Sequence, residues 1–460
     1  MSKIMSKQPT AIEQLACFVA EAEISPDEGT IGVVRDALID TLGCMLVGAR
    51  QPVAEKTRRT LASWGRGAAI VLGTDVCLPA PWAAMANTVA SHAVEFDDWE
   101  IPGNTHVSCV LFPALLAVAA TQPCSGRAIV EAYIAGFEVI ARVGEAVNFD
   151  HYANGWHATA TLGAMGAAAA VARLTELDRI ETGNALSIAV SQAVGYISQF
   201  GSNAKPIQAG NAAKAGVVAA ALAKNGLSGQ LDVLEHATGF NHLMGHGDIE
   251  RFWRNFRQPG KPLALVEYGI VLKPYPTCGY SHRTIDNVFA LRSKLPADIS
   301  QIARITASLP DFHAAIMPFQ QPTNRNEALF SLPFCAALAL ARGDVTLADI
   351  DAEAWTDATI VDLIAKVEMQ SRQPKNPALN YDPDDPDWLE IEVQDGTIYR
   401  TELAFPLGTP QNRMTSEQIM QKFLSNAYFP AHKMAEQEAA ITALKSWERA
   451  ADINAVMALF

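Results

Sequence analysis

The chain lacks most of the signatures that assign a function at sight. Its seven cysteines, Cys17, Cys44, Cys77, Cys109, Cys124, Cys278 and Cys335, are odd in number and widely spaced, with no Cys-x-x-Cys. That speaks against a disulfide framework and fits reduced thiols in a cytoplasmic protein. Positive charge is scarce: 35 Lys and Arg stand against 49 Asp and Glu, for a net charge of -14. Nucleic acid and anionic membrane are therefore excluded as default partners. Long hydrophobic runs are missing. The longest apolar stretch, around Val107 to Ala120, is too short to span a bilayer. Met1 to Thr10 is polar and has no apolar core of a secretory signal. No G-x-S-x-G, H-E-x-x-H, Walker A or G-x-G-x-x-G occurs, which counts against hydrolase, metalloprotease, ATPase and dehydrogenase readings. His242 and His246 are four apart, but Gly245 and Gly247 disfavour a helix and no third ligand is near in sequence, so no metal site is expected.

What is present is a long, alanine-rich helical pattern. The 460 residues are 49% hydrophobic, enough for two or three well-buried domains. Ser25-Pro26-Asp27-Glu28 reads as a helix start with Ser25 as N-cap. Helical stretches are expected near 83–95, 108–121, 126–147, 159–174, 178–198 and 211–224. Small residues such as Gly163 and Gly166 let such helices approach closely. The texture changes near Leu265, where Leu265 to Leu272 has strand composition, as has Ile305 to Leu309. Residues 327–342 read as helix, and Thr346 opens another. The stretch 374–387 reads as loop. Leu389, Ile391 and Val393 alternate with polar residues before an Asp395-Gly396 turn, a hairpin pattern. Helical signal returns at Thr415 and runs to Phe460. The expected fold is mainly α: a helical domain formed by 1–268 and 402–460, with a smaller α+β domain, 269–401, inserted in it.

Four polar clusters stand out in this background. Glu95-Phe96-Asp97-Asp98-Trp99-Glu100 places carboxylates beside large aromatics, between His92 and His106. A solvated helix end would explain the charges; desolvation by Phe96 and Trp99 would make them chemically active. A loop then delivers His106 to the start of an apolar helix, where an imidazole tends to be neutral and so available as a base. Gly155-Trp156-His157 repeats that loop-histidine-helix arrangement. Lys205, before Pro206, reads as lying in a glycine-rich turn, since Pro206 disfavours helix for it. It is either simply exposed or a fixed cation at a helix start. Lys273-Pro274-Tyr275-Pro276 leads through Cys278 to His282 at the junction of the two expected domains, a frequent place for a small-molecule site. Cys278 reads more readily as an incidental buried thiol than as a nucleophile.

Phe96-Asp97-Asp98 with His106, Gly155-Trp156-His157, Lys205-Pro206 with Gly210-Asn211-Ala212, and Lys273-Pro274-Tyr275-Pro276 with His282 resemble, in that order, the MmgE/PrpD family. The family includes 2-methylcitrate dehydratase, cis-aconitate decarboxylase and iminodisuccinate epimerase. The resemblance implies a homodimer, a smaller domain acting as a lid, a site in the cleft, and catalysis without metal or organic cofactor. Carried over by position, it implies Asp97, His106, His157, Lys205 and Lys273 as catalytic residues, with Tyr275 and His282 as substrate-binding additions. Glu95, Trp99, Val107 and Cys278 depart from what relatives often carry.

The expected activity is proton abstraction next to a carboxylate in a small di- or tricarboxylate. Two lysines hold the carboxylates, and histidines move the protons. Because Trp99, Val107 and Cys278 depart from the dehydratase and decarboxylase branches, the first expectation is an epimerase acting on an iminodisuccinate-like substrate. The alternative is a lyase resembling 2-methylcitrate dehydratase or cis-aconitate decarboxylase. A non-catalytic binding protein of the same fold is the further alternative.

Overall fold

The computed structural model describes residues 8–427 and 434–460. Local capping decides where its helices begin. Thr10 and Glu13 form a capping box that starts the helix Ala11–Glu21. The next helix, Glu28–Gly48, is capped by Asp27, whose carboxylate accepts from Thr30 N. Ser25, the expected cap, lies outside it. The carboxylate reaches the free N–H groups of the first turn, and Pro26 remains in the preceding extended segment.

The helices Ala80–His92, Ser108–Ala119, Gly126–Val147, Ala158–Leu174 and Ala204–Lys224 pack around one apolar core. Their small residues permit close contact. A Cβ on Gly166 would lie 2.3 Å from the Ile140 side chain, and one on Gly216 would lie 2.3 Å from Ala167 Cβ. The helix expected over 178–198 ends early, as Arg179–Val190. Beyond it the backbone is taken by a different partner: His157 N–H donates to Gly195 O at 3.0 Å and Ile197 N–H to Gly155 O at 2.9 Å. Among the described residues, no helix is long and apolar enough to cross a membrane.

The strand expected over Leu265 to Leu272 does not form. The short helix Ala264–Tyr268 takes its place, because the buried Glu138 carboxylate accepts from Ala264 N at 2.6 Å and anchors its first turn. Gly269, at φ 67°, ends it. After it, only Val271 pairs as a strand would, with Trp99.

A second apolar core gathers residues from Tyr275 to Val393. It packs helices His282–Arg292 and Leu332–Arg342 against a four-stranded sheet. The sheet order is Val367–Arg372, Ile302–Pro310, Asp387–Val393, Ile398–Leu403; the first pair is parallel and the others antiparallel. Leu389, Ile391 and Val393 are buried as their alternation requires. The helix expected over 327–342 is broken: Arg325–Ala328 stops, and Ser331 caps a fresh start at Leu332.

Helix Ser416–Asn426 and the segment around Trp447 rejoin the first core. Arg35 and Glu448 lock this return with an ion pair at 2.7 Å. The helical signal expected from Thr415 to Phe460 is met by the helices Ser416–Asn426, Met434–Leu444 and Ile453–Met457; residues 428–433 lie outside the described residues. The chain is thus mainly α; among the described residues it carries one small four-stranded mixed sheet and a two-stranded antiparallel pair, Ala69–Ile70 with Cys77–Leu78.

Candidate active site

Four carboxylates within six residues would repel one another on a solvated helix end. Here Glu95, Asp97, Asp98 and Glu100 are all buried, at 3% exposure or less, and each has its own partners. Asp98 accepts from Ser108 N at 3.1 Å and from the Ser108 hydroxyl, which fixes the start of the helix Ser108–Ala119. Glu100 accepts from Gly103 N at 2.8 Å and Thr105 N at 3.2 Å and so shapes the loop before His106. Burial pushes Asp98 up to about 7 and Glu100 up to about 8. These two carboxyls build the frame.

Glu95 and Asp97 face the chemistry. Glu95 sits at φ 53°, in a region that costs a non-glycine residue roughly 1–2 kcal/mol. Its side chain is what holds it there. Oε1 accepts from Lys273 Nζ at 3.0 Å, and Oε2 is ion-paired with Lys205 Nζ. Lys273 also donates to Glu95 O at 3.1 Å. Burial would raise the Glu95 carboxyl, but the two ammonium groups outweigh it and hold it well below the usual carboxylate range. Burial pulls Lys273 down, yet Glu95 and Asp97 together hold its ammonium above its ordinary value.

Asp97 Oδ2 lies 2.7 Å from His92 Nδ1 and 3.1 Å from His106 Nδ1. Burial disfavours this carboxylate, but the two imidazoles more than compensate and keep it charged. With Nδ1–H of His106 turned to Asp97, Nε2 is left as the basic nitrogen. Burial lowers His106 to about 4, against the pull of Asp97, so it is neutral at pH 7.

His157 caps the helix Ala158–Leu174. Its tautomer follows from a neighbour. Gln208 Oε1 accepts from Tyr196 N at 3.2 Å, which fixes that atom as the oxygen. It lies 2.7 Å from His157 Nδ1, which must therefore donate. Nε2 is left buried, basic and without a hydrogen-bond partner. Burial first, then His92 and Lys205, hold this imidazole well below its ordinary pKa. His92 stacks on it at 5.8 Å between centroids and meets His106 edge-on at 4.7 Å.

Lys205 is neither exposed nor in a turn. It is the second residue of helix Ala204–Lys224 and is 4% exposed. Pro206 is tolerated there because a first-turn N–H has no helical partner to lose. The ammonium lies 5.2 Å from the centres of the Phe200 and Phe330 rings, both packed with the second core.

Of the sequence-expected residues, His106, His157, Lys205 and Lys273 line one small cavity that opens to solvent. Asp97 lies directly behind His106. Trp99, Tyr152, Cys278, Tyr280 and Ile316 supply further walls. Tyr275 and His282 are not in the lining. Tyr275 OH donates to Asp286 at 2.6 Å, and its ring packs edge-on to His282 at 5.2 Å. Glu95, His92 and Gln208 complete the site and were not among the expected residues. The carboxylate cluster and the flanking His92 were visible signals; Gln208 had none.

His92, Asp97 and His106 also present ligand atoms within 4.8 Å of one another, a donor set that could hold a divalent ion. His242 and His246 do not join them.

A family model of the MmgE/PrpD N-terminal domain matches residues 13–251, and one of the C-terminal domain matches residues 275–449. The chain belongs to the MmgE/PrpD family. It is an enzyme of the isomerase or lyase type found there. Among its MmgE/PrpD relatives, cis-aconitate decarboxylase of Mus musculus is 28% identical over 86% of this chain and 83% of its own length. That of Homo sapiens is 28% identical over 85% and 82%. That of Aspergillus terreus is 27% identical over 92% and 90%.

Proposed function

We propose that the chain is a lyase that removes CO2, or in second place water, from a small di- or tricarboxylate. The observation that carries this is the convergence of two buried lysines and two basic imidazole nitrogens on one cavity. The names of the relatives favour decarboxylation of a cis-aconitate-like substrate. They lend no support to the first expectation, an epimerase. The lyase alternative replaces it.

Lys205 and Lys273 anchor the substrate and stabilise charge developing on its carboxylate. In decarboxylation the C–C bond breaks, CO2 leaves, and the electron pair remains next to a carboxylate. A proton then quenches that carbanion. The bound anion favours the imidazolium form of His106 or His157, and Asp97 stabilises it on His106. In dehydration the same imidazole first takes the α-proton as a neutral base, and the imidazolium so formed passes that proton to the departing β-hydroxyl, which leaves as water. Tyr275 and His282 do not line the cavity, so they are assigned no contact with substrate.

In the same reading residues 269–401 form a lid over a helical domain of 1–268 and 402–460. The protein is a cytoplasmic homodimer. Proton NMR in D2O with cis-aconitate, 2-methylcitrate and iminodisuccinate tests the reading. Net loss of CO2 or water is expected. Interconversion of stereoisomers without net loss, or no turnover of any of the three, overturns it.

A further inference from the structure

The indole N–H of Trp99 is a donor with nothing to donate to. Trp99 is buried and lines the cavity, and its Nε1 has no hydrogen-bond partner. An indole N–H can only donate, so this atom is satisfied only when an acceptor reaches it. Left unpaired, it bears the full cost of its desolvation. The ring is held in place. Trp99 N donates to Val271 O at 3.0 Å, and Val271 N donates back to Trp99 O at 2.8 Å. Tyr381 and Tyr280 meet the indole edge-on, at 5.8 and 6.4 Å between centroids.

Gly279, which also lines the cavity, keeps the space beside that nitrogen open. A Cβ on Gly279 would crowd the indole, at 3.1 Å from Nε1 and 3.6 Å from Cε2. Gly279 opens a short 3-10 turn, Gly279–Ser281, and its φ lies outside the left-handed region. Its backbone therefore does not call for glycine; the missing side chain is what matters. Tyr381 OH donates to Gly279 O at 3.3 Å and fixes this wall. The neighbouring polar groups are spent on one another: Asn104 Nδ2 donates to Tyr280 OH at 3.0 Å, which donates to Asn380 Oδ1 at 3.1 Å. The acceptor for Trp99 must then arrive with the substrate. An ionised carboxylate suits it, since it only accepts and forms stronger hydrogen bonds than a neutral group.

We propose that Trp99 is a specificity-determining residue: its indole N–H binds an oxygen of the substrate carboxylate that Lys205 and Lys273 do not hold, so that the site selects a tricarboxylate over a dicarboxylate. The inference rests on the proposed function for the class of ligand and for where it binds. The donor is neutral, so it does not draw the other carboxylates away from the lysines. A ligand without the third carboxylate leaves the N–H buried and unpaired, which is how a polar site rejects an analogue.

Propane-1,2,3-tricarboxylate and glutarate form a matched pair, since the first is glutarate with one more carboxylate. Titration calorimetry of the full-length protein reads both affinities. The native protein is expected to prefer the tricarboxylate by about tenfold or more, the worth of a hydrogen bond to a charged group. Trp99→Phe keeps a flat ring and removes the N–H. It is expected to erase most of that preference by weakening the tricarboxylate alone. Replacing Trp99 by β-(3-benzothienyl)alanine, in which sulfur stands in for the N–H, should do the same with the shape of the ring kept. That variant decides the matter if Trp99→Phe fails to fold. No native preference, binding of neither ligand, or a preference that survives loss of the N–H overturns the proposal. So does an equal fall for both ligands, which would make Trp99 a packing residue. Turnover is not read in this experiment. A protein that shows the preference and its loss but releases neither CO2 nor water in the NMR assay refutes the lyase reading alone. One that releases CO2 or water but keeps the preference without the N–H refutes only the role of Trp99.

Discussion

At the residue scale, His157 and Gln208 make the most specific claim. The Gln208 oxygen fixes which ring nitrogen of His157 carries the proton. His157→Gln removes the basic nitrogen and is expected to lower kcat about 10²–10⁴-fold with the fold intact, the range typical of a lost general acid or base. Gln208→Glu tests the positioning role separately. A carboxylate at Nδ1 favours the imidazolium, so the pKa of His157 rises from its depressed value. In decarboxylation His157 must be protonated to deliver its proton, so the alkaline limb of the kcat profile should then move to higher pH. A profile that keeps its midpoint while activity falls would mean that Gln208 only packs. Glu95 and His92 belong to the same scale. Their types and neighbours were legible in the chain, but their partners were not. Lys205 is 110 positions from Glu95, and Lys273 is 178 away.

At the scale of elements, the helix Ser416–Asn426 holds the site from behind. Lys422 donates to Phe96 O at 2.7 Å, pairs with Asp40 Oδ1 at 2.6 Å and lies 3.8 Å from the centre of the Phe96 ring. It therefore pins the backbone between Glu95 and Asp97. Asp40 is buried, and burial pushes its carboxyl up against the pull of Lys422. Lys422→Met leaves that carboxyl without its cation and is expected to destabilise the protein by roughly 3–5 kcal/mol. Combining it with Asp40→Asn should recover part of the loss. Chemical unfolding of both variants checks this, and equal stability of the single and double variants would argue against the coupling. The local signal gave the helix itself, since Thr415 and Gln418 form its capping box. It did not give the function of Lys422, because nothing within the helix distinguishes an inward lysine from a solvated one. The failed strand near Leu265 has the same cause. An apolar run of that length fits strand or buried helix, and a distant carboxylate, Glu138, decides between them.

At the scale of the whole molecule, buried carboxyl groups set how stability depends on pH. Asp98 and Glu100 are raised to about 7 and about 8, in each case first through burial. Through these two groups the folded protein holds more protons than the unfolded chain, whose carboxyls ionise near 4. Their contribution is full below the unfolded value and is lost as pH rises through the folded one. The buried histidines, lowered in the fold, act the other way near pH 6.5, where an unfolded imidazole is half protonated, and this opposition fades above about pH 7.5. Tm should fall from about pH 7.5 to 8.5. Asp98→Asn, which keeps a neutral side chain of similar shape at Ser108, should flatten that fall. An unaltered slope in the variant would place the titration elsewhere.

The sequence by itself determined the helical class, the sheet hairpin, most helix positions and four of the cavity residues. Those follow from short-range rules: period, capping and the types of neighbouring residues. Tertiary structure alone decided which groups meet. It brought Glu95 between two lysines, turned Asp97 to two imidazoles, and gave Asp98 and Glu100 to the loop and helix around His106. Four adjacent carboxylates look alike along a chain. Burial separates them, because in a desolvated interior each charge must find its own partner, and only the packed fold fixes which partners are within reach.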